Sequence, residues 1–185
     1  MLEMLLTAEQ NFLLWIQGSV RNDVLTPIFI FITSLGNVGI VWILISVGML
    51  LFPKTRKAGV ACLISLLLSL IVDNVILKNL VARTRPYDVI HGLTSLVGTM
   101  KDYSFPSGHT GSSFAAAVVI LRMLPKRYGI PAVVLAVLIG VSRLYVGVHY
   151  LTDVLAGAMI GSGIALMVSM LAEKINIGDR NAVSE

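Results

Sequence analysis

His149 and Asp153 stand four residues apart, and Ser142-Arg143 precede His149 across the short stretch Leu144 to Val148. Upstream the chain reads Pro106-Ser107-Gly108-His109, and further back Lys78 is followed seven positions later by Arg85-Pro86. Two imidazoles, a carboxylate and three cations are the set that phosphoryl transfer through a histidine requires: a nucleophile, a group to orient it, a proton donor and a cationic cradle. Spaced i,i+4, His149 and Asp153 can share one helix face and come within hydrogen-bonding reach. A carboxylate holding one ring nitrogen sets the tautomer and leaves the other nitrogen a better nucleophile. Taken alone, the pair also reads as an interfacial histidine beside a helix-capping aspartate.

The other two blocks have bland readings as well. Lys78, Arg83 and Arg85 stand at the end of an apolar run, where long cations snorkel to the interface. Arg85 differs because Pro86 biases its backbone to an extended conformation and turns its side chain off the helix. A planar guanidinium fork and an ammonium point charge together suit a phosphate dianion. Pro106-Ser107-Gly108-His109 opens a helix: Ser107 can cap it, Gly108 admits a ligand to the backbone, and the free amides favour an anion. A plain helix start explains the serine and glycine but not the histidine. Asp73 lies inside an apolar run and reads as a structural polar contact. His91 and Lys101 read as solvated loop residues.

The elements that must position these groups are membrane helices. The 185 residues are 56% hydrophobic and 13% charged, with mean hydropathy +0.88. A soluble domain carries about twice that charged fraction. Apolar runs at Pro27 to Phe52, Ala58 to Ala82, Ser107 to Leu124, Gly129 to Val146 and Leu151 to Leu171 approach the ~20 residues that cross a bilayer. The expected fold is therefore all-α and integral to the membrane, a single domain over 1–185 with five to six transmembrane helices. Residues 1–23 read as an amphipathic N-terminal segment, with Glu3 and the polar interruptions at Glu9, Gln10, Asn11 and Gln17 arguing against a signal peptide. Residues 173–185 read as a flexible cytoplasmic tail. The first long run is broken near Ser34-Leu35-Gly36-Asn37, as one tilted helix or a re-entrant turn plus a span. Gly157 and Gly161 form a small-xxx-small pair for close helix packing. Cys62 is the single cysteine, which leaves neither a disulfide nor a cysteine-based metal site. The net charge of +4 is too dispersed to bind nucleic acid.

Orientation follows from the basic connections 53–57 and 122–127, which carry Lys and Arg without acids and belong in the cytoplasm. By alternation Lys78, Arg85, His109, Arg143 and His149 then fall on the outer face together. Tyr87, Tyr103, Tyr145 and Tyr150 gather there too, as an interfacial aromatic belt would.

In this order and on this topology, Lys-x6-Arg-Pro, Pro-Ser-Gly-His and Ser-Arg-x5-His-x3-Asp closely resemble the three-part signature of the type 2 phosphatidic acid phosphatase family. The resemblance runs from Lys78 to Asp153, and every position of the three motifs matches. It implies that His149 attacks phosphorus and that Asp153 orients it. His109 would protonate the leaving oxygen, and water would then release phosphate from the phosphohistidine. It implies a phosphate cradle of Lys78, Arg85, Ser107, the Gly108 amide and Arg143, and no metal or other cofactor, since cations supply the charge. Implied partners are a lipid phosphate substrate and the surrounding membrane lipids, with the site on the extracytoplasmic side of the cell membrane. An undecaprenyl-diphosphatase-like activity is the expectation, with phosphatidylglycerophosphate or phosphatidate phosphatase as the alternative; identical motifs serve each. From other classes come a vanadate-dependent oxidase and a non-catalytic lipid binder or small transporter.

Overall fold

A computed structural model of the protein describes residues 2–182, with side chains described over 3–174. The described residues are helical, without strands. The chain runs through α1 (Leu2–Trp15), α2 (Leu25–Leu35), α3 (Ile40–Leu50), α4 (Arg56–Ser69), α5 (Lys78–Val81), α6 (Pro86–Val89), α7 (Gly108–Met123), α8 (Lys126–Tyr145) and α9 (Leu151–Ala182). Between α4 and α5 the helix widens over Leu70–Leu77 into π-type winding, which shifts the phase of the residues that follow.

Among the described residues, three stretches are long and apolar enough to cross a bilayer: Arg56–Val89, Lys126–Tyr145 and Leu151–Lys174. A fourth exists if α2 and α3 form one broken span, bent by 48°. This is fewer than the five to six spans expected. The apolar run at 107–124 yields a helix of 16 residues whose first turns are small and polar, so α7 is buried in protein rather than in lipid. At the other end, α1 is a 14-residue helix that turns a buried carboxylate, Glu9, into the fold. The tail expected over 173–185 lies largely outside the described side chains.

α7 is the hub, packed along α9, α8 and α4. Its approach to α9 depends on missing side chains, as the small-xxx-small pair predicts. A Cβ on Gly157 would stand 2.6 Å from the Ser107 carbonyl oxygen, and one on Gly161 would overlap the carbonyl oxygen of Gly111. Around this contact Trp42, Cys62, Ala116, Ile139, Ala165 and Val168 form the larger apolar core. Trp42 Nε1 donates to Ser113 Oγ at 2.9 Å, tying α3 to α7. A second cluster joins Leu13 and Ile16 of the N-terminal segment to Ile90, Leu93, Tyr145, Val148 and Tyr150.

Two of the expected interfacial tyrosines are instead core residues. Tyr145 and Tyr150 are buried. The Tyr145 hydroxyl accepts from the Asn22 amide and pairs with Thr26, and the Tyr150 ring lies 3.8 Å beneath the Arg83 guanidinium. A tyrosine held inside the protein, Tyr145 by its hydroxyl and Tyr150 by its ring against Arg83, loses the reason to sit at the interface.

Candidate active site

The chain break foreseen at Ser34 to Asn37 shapes the first wall of the site. α2 ends at Leu35, Val38 takes φ +54° and Gly39 φ +68°, and α3 departs at the bend. Gly36 lies so close to the first turn of α7 that a Cβ there would stand 2.7 Å from His109 Cδ2. The His109 ring is held by Asn37, whose Oδ1 lies 3.0 Å from Nε2. An amide oxygen only accepts, so that nitrogen carries the proton.

Lys78 and Arg85 come from the next block. α5 ends where Ala82 enters the left-handed region at φ +48°, which turns the chain back across the site. Arg85 then adopts the extended backbone that Pro86 favours, φ −73° and ψ 150°. Its Nη1 donates to the Val148 carbonyl at 2.9 Å and lies 3.4 Å from His149 Nε2. A guanidinium has donors only, so Nε2 presents its lone pair and the ring proton belongs on Nδ1.

The third block places His149. Gly147 takes φ +78° in a turn closed by Arg21 and Thr94, where a Cβ would stand 2.6 Å from Arg21 Nη2 and 2.8 Å from Thr94 O. His149 therefore precedes α9 instead of sharing its face with Asp153, a correction to the i,i+4 reading. The pair still meets: Nδ1 lies 3.5 Å from Asp153 Oδ2, in ion-pair range and longer than a tight hydrogen bond. Asp153 sits in the first turn of α9, where Oδ2 accepts from the Tyr150 amide at 2.9 Å and from Ser104 Oγ at 2.5 Å. It thus caps the helix and faces the imidazole at once.

Burial lowers the His149 pKa to about 4; Asp153 opposes the shift, and the Arg143 and Arg85 charges add to it. The imidazole is neutral at pH 7. The pKa of Asp102, in the loop before α7, is lowered as well, by a different cause. Burial alone would raise it, but hydrogen bonds and charges from Lys78 and Arg85 bring it down to about 2.

Lys78, Arg85, Gly108, His109, Arg143 and His149 all line one cavity of about 570 Å³. Its apolar lining is Ile43, Leu63, Leu66, Leu67 and Leu70. Arg143 reaches it from the end of α8, donating to Thr33 Oγ1 at 2.6 Å, while its buried Nε has no partner among the described residues. Two expected residues do not line it. Ser107 is buried behind, its amide donating to the Asp153 carbonyl at 3.0 Å and its hydroxyl accepting from Thr110 Oγ1 at 2.9 Å. It makes no side-chain cap on α7. Asp153 likewise stands behind His149. Gly108 has a packing reason beside its exposure to the cavity, since a Cβ there would meet the Asn74 side chain at 2.5 Å. Asp73 bonds Ser69 Oγ at 2.7 Å and packs on Gly111, as a structural contact. His91 and Lys101 are exposed and do not line the cavity.

Sequence reasoning passed over several groups that the fold brings in. In the chain alone Glu9 is a polar interruption. Its Oε2 takes Arg83 Nη2 at 2.8 Å, and its Oε1 takes the amide and hydroxyl of Thr152, each at 2.7 Å. Arg83, read as a snorkelling cation, donates from Nη1 to Asp153 Oδ1 at 2.7 Å. A chain Glu9–Arg83–Asp153 thus links α1 to the carboxylate behind His149. Asn37, Asp102 and Ser104 complete the missed set. The one signal for Glu9 was a carboxylate inside an apolar segment, which requires a partner.

The profile of the PAP2 superfamily matches residues 58–176. An undecaprenyl-diphosphatase of Sulfolobus acidocaldarius is 35% identical over 143 residues, covering 77% of this chain and 68% of that protein. The undecaprenyl-diphosphatase BcrC of Bacillus subtilis is 31% identical over 146 residues, covering 77% and 72%. Among solved structures, a transmembrane PAP2-type phosphatidylglycerolphosphate phosphatase from Bacillus subtilis superposes with a TM-score of 0.75 at 30% identity, covering 91% of this chain and 86% of that one.

Proposed function

The chain belongs to the PAP2 superfamily, and from that premise we propose that it is a membrane lipid phosphatase acting on an isoprenoid diphosphate such as undecaprenyl diphosphate. One observation carries the reading. A single cavity is lined both by His149, three cations and His109 and by Ile43 and four leucines, Leu63, Leu66, Leu67 and Leu70. An amphiphile with a phosphate head and a hydrocarbon tail matches both kinds of lining. The relatives named as undecaprenyl-diphosphatases support the choice of head.

In this reading His149 Nε2 attacks the terminal phosphorus, forming a P–N bond as the P–O bond to the leaving lipid phosphate breaks. His109, once it carries a proton on Nδ1 as well, gives that proton to the departing oxygen. A water molecule, losing its proton to His109, then attacks the phosphohistidine, and inorganic phosphate leaves with Nε2 restored. Lys78, Arg85, the Gly108 amide and Arg143 hold the oxygens on which charge builds. Ser107 and Asp153 act from behind, as positioning residues. The charge is compensated by side-chain cations, so the reading calls for no metal.

The basic connections at 53–57 and 122–127 support a site on the extracytoplasmic face of the cell membrane. In the same reading 1–185 is one phosphatase domain, α7 serves as a further, protein-enclosed span, and α1 lies along the interface with Met4, Leu5, Leu14 and Trp15 toward lipid. Phosphatidylglycerophosphate is the second candidate, supported by the superposition on the phosphatidylglycerolphosphate phosphatase. Phosphate release from purified undecaprenyl diphosphate, phosphatidylglycerophosphate and phosphatidate in detergent ranks them. His149→Ala is expected to abolish release from all three while the protein stays in the membrane; full activity of that variant would remove the covalent role.

A further inference from the structure

Lys78 and Arg85 are not free on the cavity wall. Both donate to the carboxylate of Asp102, Lys78 Nζ to Oδ2 and Arg85 Nη2 to Oδ1 at 2.7 Å. The two cationic side chains are buried, whereas the Asp102 side chain is 51% exposed and lines the same cavity. A carboxylate bridging a guanidinium fork and an ammonium presents two charged oxygens where a phosphoryl group would present its own. The Lys78 and Arg85 charges hold the Asp102 carboxyl well below the usual carboxylate range, so it is ionised at neutral pH.

We propose that Asp102 is a specificity-determining residue: an internal anion seated on part of the cradle, which a phosphoryl group has to displace before Lys78 and Arg85 can hold it. The inference rests on the phosphatase reading of this cavity. Arg85 does not need the carboxylate to keep its place. Arg85 is also held by three backbone carbonyls, those of Asp102 at 2.9 Å, Val148 at 2.9 Å and Tyr103 at 3.3 Å. The displaced side chain is already half in water and can swing out to be hydrated. Free phosphate, with nothing to offer but its charge, competes poorly against a tethered carboxylate. A lipid phosphate adds the burial of its tail against Ile43, Leu63 and Leu67, and so wins the exchange. Asp102 thereby separates substrate from product and favours release of phosphate after each turnover.

A merely supporting role for Asp102 predicts the opposite sign, which makes the test direct. Wild type, Asp102→Asn and Asp102→Ala are purified in detergent, and inhibition of lipid dephosphorylation by inorganic phosphate is read from the dephosphorylated lipid. Binding of phosphate is measured in parallel by calorimetry. Both variants are expected to lower the inhibition constant roughly ten-fold or more, since each loses a competitor making two charge-assisted bonds. The KM for lipid is expected to fall less. An inhibition constant that stays put or rises in both variants overturns the proposal and makes Asp102 a support for the cations. Wild type that hydrolyses no lipid phosphate would instead overturn the phosphatase reading; calorimetry would still decide whether losing the carboxylate tightens anion binding.

Discussion

Arg83→Gln is expected to strand two carboxylates at once. In the folded chain the guanidinium donates to Asp153 Oδ1 and Thr152 Oγ1 at 2.7 Å and to Glu9 Oε2 at 2.8 Å, and Glu9 and Asp153 are both buried. Removing one partner of a buried ion pair costs about 3–5 kcal/mol. The Arg83 side chain keeps 20% of its surface in water, which places the expectation at the lower end, about 3 kcal/mol. Glu9→Gln loses the charge but keeps an acceptor for the Thr152 amide, and is expected to cost about 1–2 kcal/mol. Glu9 is stranded only while Arg83 is missing, so the double variant should fall short of the sum by about 1–2 kcal/mol. Chemical denaturation of the four proteins in detergent measures the cycle. Turnover at saturating lipid, measured alongside, is expected to drop roughly ten-fold or more in Arg83→Gln, about 1.4 kcal/mol of lost transition-state stabilisation. The reason is that Asp153 deprived of its cation holds the His149 ring less firmly. Additivity within about 0.5 kcal/mol would refute the idea that α1 acts on the site through Arg83.

Two further outcomes follow from the geometry. With His149 at about 4, the acid limb of kcat/KM should lie near pH 4, well below the ordinary histidine range. The unfolded chain takes up the proton near pH 6.5 and the folded chain only near 4. The His149 contribution to stability is therefore complete above about 6.5 and declines as pH falls toward 4. A pH–rate profile with its acid limb at 6.5, or stability flat across that window, contradicts this placement. Finally, Gly161→Val should drive α9 off α7, because even a Cβ overlaps the Gly111 carbonyl. A loss of about 3 kcal/mol or more is expected. Gly163→Ala meets nothing within 4 Å and should be neutral or slightly stabilising in thermal unfolding. Equal effects at the two glycines would refute the close-contact account.

The three motif blocks were legible because their chemistry is unusual for their setting. Cations and imidazoles at the ends of apolar runs have to be explained, and Lys78, Arg85, His109, Arg143 and His149 do line one cavity together. Helix over the apolar runs, the break near Gly36 and the glycine pair on α9 were legible for local reasons: backbone groups in an apolar medium bond within their own segment, and small residues mark close contact. Which of the runs face lipid was not. Length and hydropathy do not reveal that α7 is enclosed by α9, α8 and α4 instead of lipid. Tyr145 and Tyr150 misled because an aromatic with a polar tip serves an interface or a core equally well, and only the tertiary partners of its ring and hydroxyl decide.

What the residues determined unaided was the inventory of reactive groups and the requirement that they meet beside one face of a membrane, since a charged group in apolar surroundings has few tolerable places. Tertiary structure alone decided which groups touch. Glu9 reaches Arg83 across 74 residues, Asn37 reaches His109 across 72 and Asp102 reaches Lys78 across 24. Those pairings have no period or spacing in the chain. They arise from the direction in which each helix ends, at Ala82, Gly39 and Gly147, and a turn of backbone there aims a side chain that no local pattern can aim.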